Sequence, residues 1–281
     1  MAESLPGVNV LIEGPTGTGK TASLATIALA GIETFVLFTE SGLESLVGRF
    51  TDPPPQGLGM KEVPKNVHWH VLRPPEASFS AMVQAAKDLN EMPLEVLGKR
   101  GDPDRRKHNR FIHLLSACND FVDQRTGESF GSVQTWNTDR CFVIDSLTGI
   151  NPIAMSLLIG AAPVKEQRHW GIAQDQIEAL LRNICDGCRC HFVLLAHVER
   201  ELDQLFGTGL KLTVSTLGRA LAPKIPPMFS DVVLSVREGS KFSWSTERPE
   251  ADLKARNLPL ASGLPQDFKQ IFERWKARQG I

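Results

Sequence analysis

Between an apolar run at residues 8–12 and a run of helix formers at residues 20–29 stands Gly14-Pro15-Thr16-Gly17-Thr18-Gly19-Lys20-Thr21. The spacing is G-x-x-x-x-G-K-[ST], and its setting, strand before and helix after, is the one the pattern needs to work. Glycines let successive backbone N–H groups turn toward one centre, and the start of the following helix turns its positive end toward the same point. All eight residues are therefore candidate ligands of a polyphosphate. Lys20 is placed to reach the β- and γ-phosphates, and the Thr21 hydroxyl to ligate magnesium. The plainer alternative is a glycine-rich turn that happens to carry a lysine. A strand, loop and helix of this kind commit the chain to an α/β fold.

The rest of the chain keeps that rhythm, with interruptions. Residues 34–39 and 66–72 read as further strands, residues 52–59 as a Pro- and Gly-rich loop, and residues 78–89 as a helix. Residues 92–139 break the alternation. They hold a basic stretch at 99–110, an amphipathic helix at about 110–122 and a polar, glycine-bearing segment, and they read as an insertion. Residues 141–144 are four apolar residues in a row, the mark of a strand buried on both faces, and residues 191–196 repeat it after a helix at about 170–185. Residues 199–227 lose the pattern, residues 231–236 and 241–246 form a hairpin around Glu238-Gly239-Ser240, and a terminal helix covers 267–278. Strands alternating with helices predict a mostly parallel, doubly wound sheet with helices on both faces. The expected division is a core over 1–248, with the insertion inside it, and a tail over 249–281 ending in the helix.

Three polar residues fall where apolar strands end, at the sheet edge where open α/β folds bind ligands. Asp145 closes the run at 141–144 and is the candidate second magnesium ligand, acting through water; its alternative role is a helix cap, which Ser146 can fill instead. Glu40 closes the second strand and is the candidate general base, with Glu44 as its rival one helical turn on. His197 follows the strand at 191–196, where it can touch the γ-phosphate and pass that contact to the next segment. Together with Lys20 these are the candidate catalytic residues. A solvated carboxylate and a satisfied polar group are the plainer readings of Glu40 and His197.

At this point the residues resemble the RecA family. Phe38-Thr39-Glu40-Ser41-Gly42-Leu43-Glu44 is similar to the family's second-strand motif, whose glutamate activates water, and Val143-Ile144-Asp145-Ser146 to its Walker B strand. His197 falls where the family places a γ-phosphate-sensing glutamine. A nearer resemblance, to the phage-encoded Sak-type ATPases, rests on residues 141–149, 193–199, Gly218-Arg219-Ala220-Leu221-Ala222-Pro223-Lys224, Phe229-Ser230-Asp231 and the hairpin at 237–244. The likeness implies a RecA-like P-loop core, ATP and Mg2+ as cofactors, hydrolysis, and a role in recombination or single-strand annealing. It also implies single-stranded DNA as partner, a homo-oligomer with the ATP site near a protomer interface, and a single-strand-binding protein as a further candidate. Arg219 and Lys224 become candidates for reaching a neighbour's γ-phosphate.

Composition bounds these expectations. A net charge of -1 gives no global field for a polyanion, so DNA contact must be local. Lys99, Arg100, Arg105, Arg106, Lys107 and Arg110 form the densest cluster, diluted by Asp102 and Asp104 and lacking interleaved aromatics. The stretch after Glu199 is better placed but holds only Arg200 and Lys211 before Gly218. Five cysteines, an odd number, and no cationic leader or bilayer-length apolar run point to a reducing cytoplasm, that of a host cell for a phage protein, without a membrane partner. Cys185, Cys188, Cys190 and His191 carry one C-x-x-C pair, but adjacent strand residues face opposite ways and disfavour zinc. Two other functions fit the same loop. One is a helicase or packaging motor and the other a small-molecule or nucleotide kinase, for which the basic stretch would be the lid.

Overall fold

The computed structural model describes residues 5–73, 79–93, 108–160, 165–202 and 209–280. The basic residues 99–107 and the segment 203–208 lie outside them.

Seven strands make one sheet. In chain order they are β1 (Asn9–Glu13), β2 (Glu33–Phe38), β3 (Val67–Val71), β4 (Arg140–Asp145), β5 (His191–Ala196), β8 (Asp231–Glu238) and β9 (Lys241–Ser245). Their order across the sheet is β3-β2-β4-β5-β1-β8-β9, all parallel except β9, which returns antiparallel along β8. The layout, a mostly parallel sheet flanked by helices with extra strands and helical insertions, is that of a RecA-like P-loop core. β5 is the strand that separates β1 from β4.

Strand alternation decides what each face buries. Leu11, Phe35, Leu37, Phe142, Ile144, Phe192 and Leu194 face one cluster, while Val10, Ile12, Val36, Phe38, Cys141, Val143, Val193 and Leu195 face the other. The helices α1 (Lys20–Ser23), α2 (Ala25–Leu29) and α3 (Leu43–Thr51) cover the second face together with the terminal helix. The expected single helix over 20–29 is two short turns that meet at Leu24. There the backbone tightens to Leu24 N→Thr21 O and Ile27 N→Leu24 O bonds, and the hydroxyls of Ser23 and Thr26 donate back to Lys20 O and Ser23 O.

The first face is covered by α5 (Arg110–Asn119), α6 (Leu147–Ile159) and α7 (Gln167–Gly187); α4 (Phe79–Glu91) lies between β3 and α5 in the chain. The described part of the expected insertion belongs to this core. Phe111, Leu114 and Ala117 are buried at helical spacing, and Phe121 and Trp136 pack on Phe35 with ring centroids 5.2 and 4.2 Å away. Two expectations need correction. Residues 147–159 form a helix that the sequence reading passed over. It is apolar on nearly every side because it is sandwiched between α5 and α7, so no amphipathic stripe marks it, and Gly149 and Pro152 disguise it further. Residues 199–227 are not patternless: β6 (Val198–Leu202) and β7 (Leu210–Val214) pair antiparallel, with Ala222–Lys224 and Pro226–Met228 as single 3-10 turns after them.

Residues beyond β9 run back over the sheet. Asp231, fully buried at the start of β8, accepts from the backbone N–H of Arg256 and Asn257 and from Asn257 Nδ2. The last helix, α8 (Lys269–Gln279), buries Ile271, Phe272 and Trp275 on the second face. No helix among the described residues is long and apolar enough to cross a membrane.

Candidate functional site

Register brings the candidate residues to one edge. Glu13 pairs with Ala196, Leu195 with Asp145, and Asp145 with Phe38, so four parallel strands end level with one another. The loop from Gly14, the pair Thr39-Glu40, Asp145-Ser146 and His197 therefore leave the sheet side by side. Since β5 lies between β1 and β4, His197 emerges between the glycine-rich loop and Asp145.

The loop is held from several sides. Gly14 N donates to Ala196 O, the Thr18 hydroxyl to Pro15 O, and Ser235 Oγ and Gln266 Nε2 both donate to Thr18 O. Gly19 has φ +87°, in the left-handed region, and a Cβ there would lie 2.6 Å from Gln266 Oε1. Ser235 and Gln266 were not foreseen; they come from the hairpin and the chain end, and no local sequence signal ties either to the loop.

Lys20 is 7% exposed, and its ammonium donates to Gly14 O at 2.7 Å and Pro15 O at 2.8 Å. Burial lowers its pKa to about 8, with Asp145 and Glu40 pulling the other way. Thr21 Oγ1 donates to Asp145 Oδ2 at 2.7 Å. Burial raises Asp145 to about 6; the Thr21 hydrogen bond opposes the shift and the Glu40 charge adds to it. The peptide from Asp145 to Ser146 is cis. Two oxygens at hydrogen-bond distance, one of them a carboxylate, are suited to a hard divalent cation.

Glu40 lies across from this pair. Its Oε2 accepts from Ser146 Oγ at 2.7 Å and stands 3.7 Å from His197 Nε2, while His197 Nδ1 is 3.4 Å from Thr16 Oγ1. The imidazole is the main reason the Glu40 carboxyl is held below the usual carboxylate range. Burial opposes this and the Ser146 hydroxyl assists. An ionised carboxylate so held can take a proton from water. Thr39 and Ser146 clasp one another, Thr39 Oγ1 donating to Ser146 O and Ser146 N donating to Thr39 Oγ1. Ser146 also caps α6, accepting from Gly149 N at 3.4 Å. Glu44 is exposed in the first turn of α3.

Arg219 and Lys224 are not part of this cluster. Arg219, with its side chain 82% exposed, pairs with Glu201 at 3.3 Å, and Lys224 pairs with Glu178 at 2.7 Å. Cys190 faces the first cluster, whereas the ring of His191 faces Phe272 and Trp275 and accepts from Val8 N. Among the described residues no group of three or more His, Cys, Asp or Glu is arranged to hold a metal.

Among solved structures the chain is similar to the RadB recombinase, at 14% identity over 93% of this chain and 86% of that one, with a TM-score of 0.43. It is similar also to the flagellar accessory protein FlaH from Methanocaldococcus jannaschii, at 8% identity over 88% and 80%, with a TM-score of 0.34. No protein-family model and no curated protein matches the chain. Strand order and register, independently of these likenesses, give the sheet its RecA-like layout.

Proposed function

We propose that this chain binds Mg-ATP at the loop from Gly14 to Thr21 and hydrolyses it, and that the hydrolysis serves DNA recombination or single-strand annealing of the phage type. The observation that carries the first part is the meeting of Lys20, Thr21, Asp145 and Glu40 at one sheet edge, Thr21 and Asp145 from positions 124 residues apart. The residues fit the group they would hold. The loop's N–H groups and the Lys20 ammonium supply positive charge for the β- and γ-phosphates, and Thr21 and Asp145 supply oxygens for Mg2+, Asp145 through water. When bound, the metal neutralises charge on the phosphates.

In this reading Glu40 takes the proton from a water whose oxygen attacks the γ-phosphorus while the bond from that phosphorus to the β-bridging oxygen breaks, giving ADP and phosphate. Ser146 and His197 hold the Glu40 carboxylate in its ionised form. His197 spans Thr16 and Glu40 and leads directly into β6, so a shift of its ring on meeting the γ-phosphate is passed to the β6–β7 hairpin. That continuity supports a nucleotide-dependent role for the hairpin. Single-stranded DNA as the partner, and a homo-oligomer in which Arg219 or Lys224 leaves its own-chain acid to reach a neighbour's phosphate, rest on the sequence resemblance.

Phosphate release from ATP, measured with and without single-stranded DNA and with small phosphate acceptors, tests the proposal. Release that depends on Mg2+ and rises with single-stranded DNA is the expected result. Transfer to an acceptor would replace it with a kinase, and unwinding of a duplex would replace it with a motor.

A further inference from the structure

Glu13 ends β1 one residue before the phosphate loop, and alternation along the strand turns it to the same face as Leu11, away from α1 and α2. It is 1% exposed, and its Oε1 has no hydrogen-bond partner among the described residues. A bare carboxylate oxygen at such burial costs several kcal/mol in general, so an unmatched one calls for a ligand or a proton. Glu13 lies on the lining of a cavity of about 1110 Å³ that residues of β6 and β7 also line.

The charges around that cavity are unevenly matched. Lys211 is paired with Asp252 at 2.7 Å and Arg219 with Glu201 at 3.3 Å. Glu199 accepts a neutral hydroxyl, from Ser215, and Glu13 Oε1 accepts nothing among the described residues. Arg200 completes the charged lining. Burial, reinforced by Asp252 and opposed by Lys211, raises Glu13 to about 8, so near neutral pH the carboxyl carries a proton unless a cation comes to it.

We propose that this cavity, which none of the residues assigned to the nucleotide lines, is a second binding site that takes a ligand presenting ammonium or guanidinium groups, one of them donating to Glu13. A volume of about 1110 Å³ suits an extended oligoamine or a basic peptide segment rather than a single ion. Both sources share the same chemistry. The proposal does not depend on hydrolysis at the phosphate loop.

The test is calorimetric titration of the full chain at neutral pH and physiological ionic strength, with spermidine in one arm and a short lysine oligomer in the other. Each titration is run in buffers of different ionisation enthalpy, on wild type, Glu13→Gln and Glu199→Gln. The expected result is binding in at least one arm with release of about one proton per ligand, as Glu13 ionises. Glu13→Gln should weaken it roughly tenfold or more and abolish the proton release. Binding of spermidine assigns the source to a free polyamine, and binding of the oligomer alone assigns it to a polypeptide. Should Glu13→Gln not fold, Glu199→Gln must still weaken binding while wild type still releases the proton. No binding in either arm, or binding without proton release, overturns the proposal.

Discussion

Thr21 and Asp145 stand 124 residues apart in the chain and meet at 2.7 Å, the Thr21 hydroxyl donating to Asp145 Oδ2. The contact crosses an intervening strand, since β5 separates β1 from β4. It makes Asp145 the group whose protonation should limit the site. Its pKa of about 6 lies above that of an ordinary aspartate because burial disfavours the charge. The acid limb of kcat/KM is therefore expected near pH 6, and raising Mg2+ should move it to lower pH, because metal and proton compete for the same carboxylate. A limb that ignores Mg2+ would detach Asp145 from the metal.

Glu40 is held ionised by His197 and Ser146, so its loss should show in turnover and not in binding. Glu40→Gln is expected to lower kcat by roughly 10²–10⁴-fold while leaving the affinity for ATP within a few-fold of wild type. Single-turnover phosphate release alongside equilibrium nucleotide binding separates the two. Equal losses in both would make Glu40 a structural residue.

Gly149 leaves no room for a side chain, since a Cβ there would lie 2.3 Å from Thr39 Oγ1 and 2.6 Å from Glu40 Cγ. Gly149→Ala is expected to cost about 1–3 kcal/mol of stability by forcing Thr39 or α6 aside. Turnover should fall as well, because Glu40 is displaced. Urea unfolding and phosphate release check the two effects, and a variant of wild-type stability and turnover would show that the clasp of Thr39 on Ser146 yields freely.

Glu13 should leave its mark on stability. Its folded pKa of about 8 exceeds the ordinary 4.5, so between those values the native state binds more protons than the unfolded chain and stability falls as pH rises. The effect is on the order of 5 kcal/mol across that window, fully favourable below about pH 4.5 and lost above about pH 8. The difference in unfolding free energy between wild type and Glu13→Gln should follow this slope, since other groups cancel. A difference that is flat from acid to pH 8 would mean that Glu13 titrates in the folded chain as it does in the unfolded one.

Arg219 offers a test of the oligomer. Arg219→Ala should abolish stimulation of turnover by single-stranded DNA and spare nucleotide binding, if the guanidinium serves a neighbour's site. Unchanged stimulation leaves it as the exposed partner of Glu201 that the single chain shows.

That the candidate residues share one sheet edge was legible because their signals are local. Lys20 and Thr21 follow from motif spacing, and Glu40, Asp145 and His197 from apolar runs that end in a polar residue. A parallel sheet brings such ends together whichever strand they belong to. What escaped is what depends on distant partners. Gln266 donates to Thr18 O from 248 residues away, and nothing around Gln266 announces it. Helix α6 hid because a helix apolar on nearly every side loses the stripe by which helices are read. The β6–β7 hairpin hid because Val198-Glu199-Arg200-Glu201-Leu202 is too polar to resemble a core strand, although its two apolar ends suit an exposed ladder. The unmatched carboxyl of Glu13 was invisible for a different reason, since sequence shows that a glutamate ends the strand but not that its oxygen lacks a partner.

In the proposed function the amides of this loop and the Lys20 ammonium grip a triphosphate. The most direct measurement is the equilibrium affinity of Lys20→Ala for Mg-ATP, with thermal unfolding of the variant showing that the fold is kept. Removing the ammonium is expected to weaken binding by roughly tenfold or more and to abolish hydrolysis. Affinity and turnover equal to those of wild type, in a variant that remains folded, would contradict the account.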